Sequence, residues 1–215
     1  MARSGRTGRG AFSRGRGRPE AWSCGSRSSW PRSCSWSSSD RRGGRSGAPV
    51  STSGPPRSPA AKILPRAEAV RRAGPGRSFR LVFTNGCFDL LHRGHVECLV
   101  QARALGNALL VAINTDDSVR RLGKGPGRPL VAEEDRAMVL AALECVDWVT
   151  SFHEDTPEAL VAELEPDVLV KGGDYTEDEV AGAEAMRGRG GRVVIVPLVA
   201  GCSTSGLVRR LKEQS

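Results

Sequence analysis

The chain lacks any long apolar run. Its longest stretches of this kind, 108–113 and 193–200, span only six to eight residues, whereas a helix that crosses a bilayer needs about 20. No apolar segment follows the arginines near the amino terminus, so we expect no secretory signal. These absences exclude a helical membrane protein and favour a cytoplasmic location.

Clustered cysteines are also missing. The six cysteines are scattered singly, and none of them shows Cys-x-x-Cys spacing. A structural zinc site needs clustered ligands, and a disulfide framework is typical of short secreted chains. We therefore expect reduced thiols and no structural metal.

Acidic residues are scarce at the start of the chain, and this scarcity explains the net charge. Residues 1–78 carry 17 Lys and Arg against 3 Asp and Glu, a net of +14. Residues 79–215 carry 15 against 21, a net of −6, and the two segments together give the +8 of the whole chain. Because the positive charge belongs to the first segment, a basic core that binds nucleic acid is disfavoured.

The first segment also has almost no Leu, Ile or Val. Residues 1–61 are mainly Arg, Ser, Gly and Pro. They cannot bury enough apolar surface to offset chain entropy, so we predict a disordered tail. Three origins stay open: a genuine tail, a targeting segment, and a start codon assigned too far upstream in GC-rich DNA. Apolar residues then recur at helical spacing, which predicts a helix and linker within 62–78, ahead of a domain at 79–215.

From residue 79 onward, apolar runs alternate with amphipathic stretches. The predicted strands are 80–84, 109–114, 148–151, 168–171 and 192–197, and the predicted helices are 95–105, 133–145, 157–164, 178–187 and 203–212. Near-continuous apolar strands separated by helices are typical of a parallel sheet covered on both faces. We therefore predict a Rossmann-like, doubly wound α/β domain with five parallel strands, and a ligand beyond their carboxyl ends.

The end of the first predicted strand carries two histidines. Residues 84–95 read TNGCFDLLHRGH, so His92 and His95 flank Gly94 at the start of a helix. A helix amino terminus favours an anion, glycine permits close approach of the backbone, and imidazole can donate a hydrogen bond to a phosphate oxygen. Zinc would need a third ligand nearby. The pair therefore predicts a phosphate site.

Two more polar strings follow predicted strands. Residues 171–175 read KGGDY after the fourth strand, and residues 201–205 read GCSTS where the last helix begins. Three hydroxyls beside the free N–H groups of a helix start can hold phosphates, whereas a plain cap needs only one. The glycine-rich stretch 123–128 contains Lys124, which is not a Walker A lysine because Gly125 follows it.

Together these strings resemble the nucleotidylyltransferase superfamily. The first is similar to the HxGH signature of its cytidylyltransferase-like branch, and the other two are similar to the adenylyltransferases that make ADP-heptose. The resemblance runs from about residue 62 to the carboxyl terminus. It implies transfer of AMP from ATP to a sugar 1-phosphate, most simply D-glycero-β-D-manno-heptose 1-phosphate, with release of pyrophosphate.

The resemblance also implies roles for individual residues. Those expected to be catalytic are His92, His95 and Lys124. Those expected to bind the nucleotide are Asn85, Gly86, Phe88, Gly94, Asn114, Asp116, Gly172, Asp174, Ser203, Thr204 and Ser205. Those expected to bind the sugar phosphate are Arg128, Arg136 and Lys171. Mg²⁺ would accompany ATP with few ligands from the protein.

The expected partners are ATP, a sugar 1-phosphate and a separate sugar kinase, because a chain of this length has no room for a kinase of its own. Whether the protein forms a homodimer stays open.

Two other functions stay open as well. One is a cytidylyltransferase for glycerol 3-phosphate or a phospho-alcohol, which the KGGDY string argues against. The other is a non-catalytic RNA-binding protein that uses the basic tail, which the intact histidine pair argues against.

Overall fold

A computed structural model describes residues 58–123, 125, 127–173, 175–197, 199 and 201–214. The predicted tail lies outside these residues as far as residue 57, and Lys124 and Asp174 also lie outside them. The division of the chain at residues 61 and 78 stays a prediction. No helix among the residues that the structure describes is long and apolar enough to cross a membrane.

Five strands form one sheet: β1 (Leu81–Gly86), β2 (Ala108–Asn114), β3 (Trp148–Phe152), β4 (Val168–Gly172) and β5 (Arg192–Val196). The helices are α1 (Arg66–Ala73), α2 (Arg93–Arg103), α3 (Asp116–Arg121), α4 (Glu133–Ala141), α5 (Glu158–Leu164), α6 (Ala183–Gly188) and α7 (Thr204–Glu213). The strand order is β3-β2-β1-β4-β5, and every neighbouring pair is parallel. The predicted Rossmann-like sheet is confirmed.

The strands are apolar because both faces of the sheet are covered. All seven residues of β2 are buried. In β1, Leu81 and Phe83 belong to one core cluster and Val82 belongs to the other, as the alternation of a strand requires. Helices α1, α5 and α6 contribute to the first cluster, whereas α2 and α4 contribute to the second. The carboxyl ends of the strands are thereby left free for a site.

The segment before β1 packs into the same domain. Ile63 forms a parallel bridge with Val149 of the edge strand β3. The ammonium of Lys62 donates hydrogen bonds to the carbonyls of Leu143 and Val146, at 3.0 and 2.9 Å. The apolar residues of this segment that are buried in the first core cluster are Leu64, Ala69 and Ala73. An unpaired strand edge is prone to aggregation, and this segment covers part of that edge.

The largest differences from the sequence prediction concern three helices. The predicted helix at 178–187 is a 3₁₀ turn, Glu177–Glu179, followed by α6, because Gly182 adopts a φ of 90° between them. Helix α4 ends at Ala141, before the predicted end at residue 145. Helix α3 was not predicted. Its charged sequence shows no apolar period, and Thr115 starts it by accepting a hydrogen bond from the Ser118 N–H.

Candidate functional site

A pocket of about 510 Å³ lies at the carboxyl ends of β1 and β4, where parallel sheets of this order bind ligands. Most of the predicted site residues line it. These are Asn85, Gly86, Phe88, His92, Gly94, His95, Arg128, Lys171, Gly172, Ser203, Thr204 and Ser205. The fold therefore brings the three sequence strings into one cavity. Asn114, Asp116 and Arg136 are not part of its wall.

The two histidines form the polar centre of this wall. His92 is the residue before α2 and His95 lies in its first turn; their rings stack with centroids 3.7 Å apart and 19° between the planes. Burial lowers the pKa of His92 below its usual 6.5, which favours the neutral ring near pH 7. The buried Nδ1 of His92 has no hydrogen-bond partner within the described part of the chain. A buried polar atom in a pocket wall is suited to bind an incoming ligand.

Gly94 lets two helix amino termini meet beside these rings. A Cβ at this position would lie 3.1 Å from Cβ of Cys202 and 3.1 Å from Nδ1 of His92, which is closer than ordinary packing allows. Cys202 leads directly into α7, where the Ser203 hydroxyl accepts a hydrogen bond from the Gly206 N–H at 3.1 Å. Helices α2 and α7 both direct partial positive charge toward this point, which favours a polyanion such as a triphosphate.

Phe88 shapes the loop between β1 and the histidines. It adopts a left-handed backbone with a φ of 48°, and its ring centroid lies 5.1 Å from that of His95. A Cβ at Gly86 would approach the Phe88 ring to 3.1 Å, so a larger residue there would require the ring to shift. Positive φ is uncommon for a bulky residue and occurs often at functional sites. The loop thus folds back so that an aromatic ring supports His95.

Lys171 lies on the other side of the pocket, at the end of β4. Its ammonium donates hydrogen bonds to Oδ1 and the backbone carbonyl of Asn85, at 2.9 and 3.2 Å. It also lies 5.9 Å from the ring centroid of Tyr175, a lining residue that the sequence analysis did not single out. Burial raises the pKa of the neighbouring Cys98 thiol, and the charge of Lys171 opposes this rise. The lysine therefore joins two strand ends and places a positive charge in the wall.

Asp89 is a lining residue that the sequence analysis also missed. Its carboxylate is buried and accepts a hydrogen bond from the guanidinium of Arg128. It further accepts hydrogen bonds from the backbone N–H groups of Leu130 and Val131, at 2.7 and 2.9 Å. The signal that the sequence offered was its position within the TNGCFDLLHRGH string. A buried acid needs hydrogen-bond partners. The sequence could not say which partners those are.

Arg136 lies beneath the pocket, and this differs from its expected role as a ligand of the sugar phosphate. Its guanidinium is fully buried and donates to the carbonyls of Cys87, Asn114 and Val131, at 2.6, 2.9 and 3.0 Å. It also forms an ion pair of 2.6 Å with Asp116. These contacts use its donors to join the loop after β1 to the end of β2. Arg136 therefore supports the loop and the strand end beneath the pocket, and it is not part of the described wall.

Asp116 lines a second and more open depression, of about 680 Å³, beyond β2 and β3. The arginines in this depression are paired locally, Arg120 with Asp117 and Arg121 with Asp155. Over the described ranges, no group of His, Cys, Asp and Glu is arranged to hold a metal ion. We place the candidate site in the smaller pocket, because the histidines and both helix termini lie there.

Three known proteins are similar to this chain. The Bordetella bronchiseptica protein named D-beta-D-heptose 1-phosphate adenylyltransferase is 56% identical over 153 residues, which cover 71% of this chain and 94% of that protein. The bifunctional protein HldE of Azotobacter vinelandii is 56% identical over 135 residues, 63% of this chain but only 28% of HldE. A lipopolysaccharide core biosynthesis protein of Thermoplasma volcanium is 30% identical, with a TM-score of 0.46 over 56% of this chain and 97% of its own.

A family model described as cytidylyltransferase-like matches residues 83–208. The matched residues include the histidine pair, the end of β4 and the start of α7, which together form the pocket. On the strength of the family match and of the relative that it covers almost completely, this chain belongs to the cytidylyltransferase-like family.

Proposed function

We propose that this chain is a nucleotidyltransferase that transfers AMP from ATP to D-glycero-β-D-manno-heptose 1-phosphate, giving ADP-heptose and pyrophosphate. The observation that carries the proposal is the 56% identity to a heptose 1-phosphate adenylyltransferase, over 94% of that enzyme. The pocket suits this chemistry because it combines two imidazoles, two helix amino termini and the positive charge of Lys171. Such a wall favours phosphate groups.

The reaction needs positioning and charge stabilisation more than covalent catalysis. An oxygen of the sugar phosphate attacks the α-phosphorus of ATP, and the bond from that phosphorus to the bridging oxygen of pyrophosphate breaks. We assign His92 and His95 to hydrogen bonds with the phosphate oxygens, where they stabilise the charge that develops. Residues 203–205 at the start of α7 would hold the leaving pyrophosphate with hydroxyl and backbone N–H groups.

The remaining lining residues would orient the two substrates. Asn85, Gly86, Phe88 and Gly172 border the nucleotide side in this proposal, and Lys171 contacts the sugar phosphate. Lys124 and Asp174 lie outside the described residues and stay predicted contributors. A kinase activity must form the sugar 1-phosphate. The expected separate kinase, the homodimer and the cytoplasmic location also stay predictions.

Mg²⁺ is proposed as the counterion of ATP. Asp89 is the only carboxylate in the described wall of the pocket, and its oxygens are used by Arg128 and two backbone N–H groups. Because the described wall offers no further carboxylate as a ligand, it fits a metal that is held mainly by triphosphate oxygens and water, as Mg²⁺ prefers. When bound there, the ion would neutralise phosphate charge.

The test is pyrophosphate release from the purified protein with ATP or CTP, each combined with heptose 1-phosphate or glycerol 3-phosphate. We expect turnover with ATP and heptose 1-phosphate, because polar groups that pair with the correct substrate would stay unpaired with the wrong one. Comparable turnover with CTP and glycerol 3-phosphate would favour the cytidylyltransferase alternative. The absence of turnover with all four combinations would contradict the proposal.

A matched pair of histidine variants tests the assignment of the site. His95→Ala should lower kcat by about 10²–10³, roughly 2.7–4 kcal/mol, as the loss of a donor to transition-state charge does. His153→Ala is the control, because that side chain is 80% exposed and lies outside the pocket. Full activity in His95→Ala, or an equal loss in both variants, would refute the assignment.

A further inference from the structure

We propose that Asp89 is a positioning residue that holds Arg128 in the wall of the pocket, so that the guanidinium of Arg128 binds a phosphate group of a substrate. This inference rests on the proposed function, since it assigns a phosphate contact within that reaction. Asp89 itself does not contact the substrate, and acts through Arg128.

Both oxygens of the Asp89 carboxylate accept hydrogen bonds from one short segment, residues 128–131. One oxygen accepts from Arg128, and the other accepts from the N–H groups of Leu130 and Val131. The two charged side chains are only 5% and 12% exposed, and they lie 39 residues apart in the chain. A hydrogen-bonded ion pair with so little water around it has a well-defined geometry, whereas exposed pairs are loosely held.

The segment that Asp89 holds follows three glycines with open space around them. Gly123, Gly125 and Gly127 have φ values of 62°, 114° and 74°, and a Cβ at any of them would meet no atom within 4 Å. The hydrogen bonds to Asp89 then anchor residues 128–131 to the loop after β1. Arg136 strengthens that anchor from below by donating to the carbonyls of Val131 and Cys87.

The carboxylate of Asp89 is unusual in the wall of a pocket that is otherwise suited to phosphate groups. A lone carboxylate would repel a substrate with several phosphates, so an acid at this place is unfavourable unless it holds a cation. Asp89 engages Arg128 through one of its terminal nitrogens, and a guanidinium has five N–H donors in a planar fork. Arg128 lines the same cavity as His92 and His95, so its other donors can serve a phosphate there.

Four proteins test this inference: the wild type, Asp89→Asn, Arg128→Gln and the double variant. The amide introduced by Asp89→Asn would keep an oxygen that accepts from the backbone but would lose the charge that holds Arg128. Asp89→Asn and Arg128→Gln should each lower kcat/KM by about 10- to 100-fold, the effect of one charge-assisted hydrogen bond. Both should raise the KM of the same substrate, and the double variant should be no worse than Arg128→Gln.

Separate KM values for ATP and for heptose 1-phosphate identify which phosphate Arg128 binds. Asp117→Asn is the control, because Asp117 is an exposed partner of Arg120 outside the pocket and should show wild-type kinetics. Wild-type kinetics in Asp89→Asn, or losses that add in the double variant, would overturn the proposal. Should Asp89→Asn not fold, wild-type kinetics in Arg128→Gln would overturn it in the same way.

Amide hydrogen exchange separates this inference from the proposed function. Asp89→Asn should speed exchange at Leu130 and Val131 by about tenfold, because their carboxylate acceptor is weakened. Exchange in β2 should stay unchanged. A wild type without turnover would defeat the proposed function together with the phosphate contact of Arg128, whereas unchanged exchange at Leu130 and Val131 in an active protein would defeat only the positioning role of Asp89.

Discussion

Replacing Arg136 by methionine would remove the support beneath the pocket while keeping a side chain of similar length. The guanidinium donates to the buried carbonyls of Cys87 and Asn114, to the half-buried carbonyl of Val131 and to the carboxylate of Asp116. In Arg136→Met all four acceptors lose this donor, and the side chain is fully buried, so water does not replace it freely. We therefore expect a large loss of stability.

The magnitude follows from the burial of each partner. Removing one partner of a buried charged network costs about 3–5 kcal/mol, since the others are left unpaired. The Asp116 side chain is 27% exposed and can recover part of its hydration, which places the expected loss at the lower end of that range. We predict that the free energy of unfolding falls by about 3 kcal/mol, with the buried carbonyls as the main cause.

Urea unfolding of Arg136→Met measures this loss directly, provided that the slope with urea matches that of the wild type. Arg120→Met is the matched control, because Arg120 is 60% exposed and its ion pair with Asp117 is open to water; its effect should stay within about 0.5 kcal/mol. Arg136→Lys keeps the charge but not the planar fork, and should fall between the two. A loss below about 1 kcal/mol in Arg136→Met would refute this reasoning.

Three further predictions concern the site and the segment before β1. Gly94→Ala should lower kcat/KM about 10- to 100-fold in the pyrophosphate assay, because the new Cβ would displace the His92 ring that it approaches to 3.1 Å. Since burial lowers the pKa of His92, the unfolded state binds more protons below pH 6.5, and the free energy of unfolding should fall as the pH is lowered through that value. In urea unfolding at neutral and mildly acidic pH, the free energy of unfolding of His92→Gln should fall less on acidification than that of the wild type. Lys62→Met should lose about 1–2 kcal/mol in urea unfolding, because two carbonyls lose their donor.

Each of these predictions has a control in the chain. Gly188→Ala changes a glycine of α6 with no atom within 4 Å of the new Cβ, and should leave kcat/KM unchanged. Arg71→Met alters a 70% exposed side chain of α1 and is the control for Lys62→Met. Equal activity losses in the two glycine variants, the same pH dependence with and without His92, or equal stability in the Lys62 and Arg71 variants would contradict the respective prediction.

The sequence by itself determined the class of fold, because the information is local. Each buried strand is an apolar run of a few residues, and each long helix carries an apolar face, so the alternation of the two predicts a parallel α/β sheet. Local signals failed where the chain is short and polar. Helix α3 has no apolar face, and Gly182 divides the segment before β5 through a backbone angle that composition does not reveal.

The same distinction holds at the site. His92, Gly94 and His95 were predictable because one helix start presents all three, and Ser203 lies at another helix start. Arg136 was expected to meet an anion of the substrate, yet its partners are a carboxylate and carbonyls that lie 5 to 49 residues away in the chain.

Asp89 was overlooked for the same reason, since its partner Arg128 is 39 residues distant. Residue type and local spacing therefore placed the imidazoles and hydroxyls at the ends of strands. The tertiary structure alone decided which charged groups face the cavity and which are paired with other groups beneath it. Burial and hydrogen-bond partners arise only when distant segments pack together.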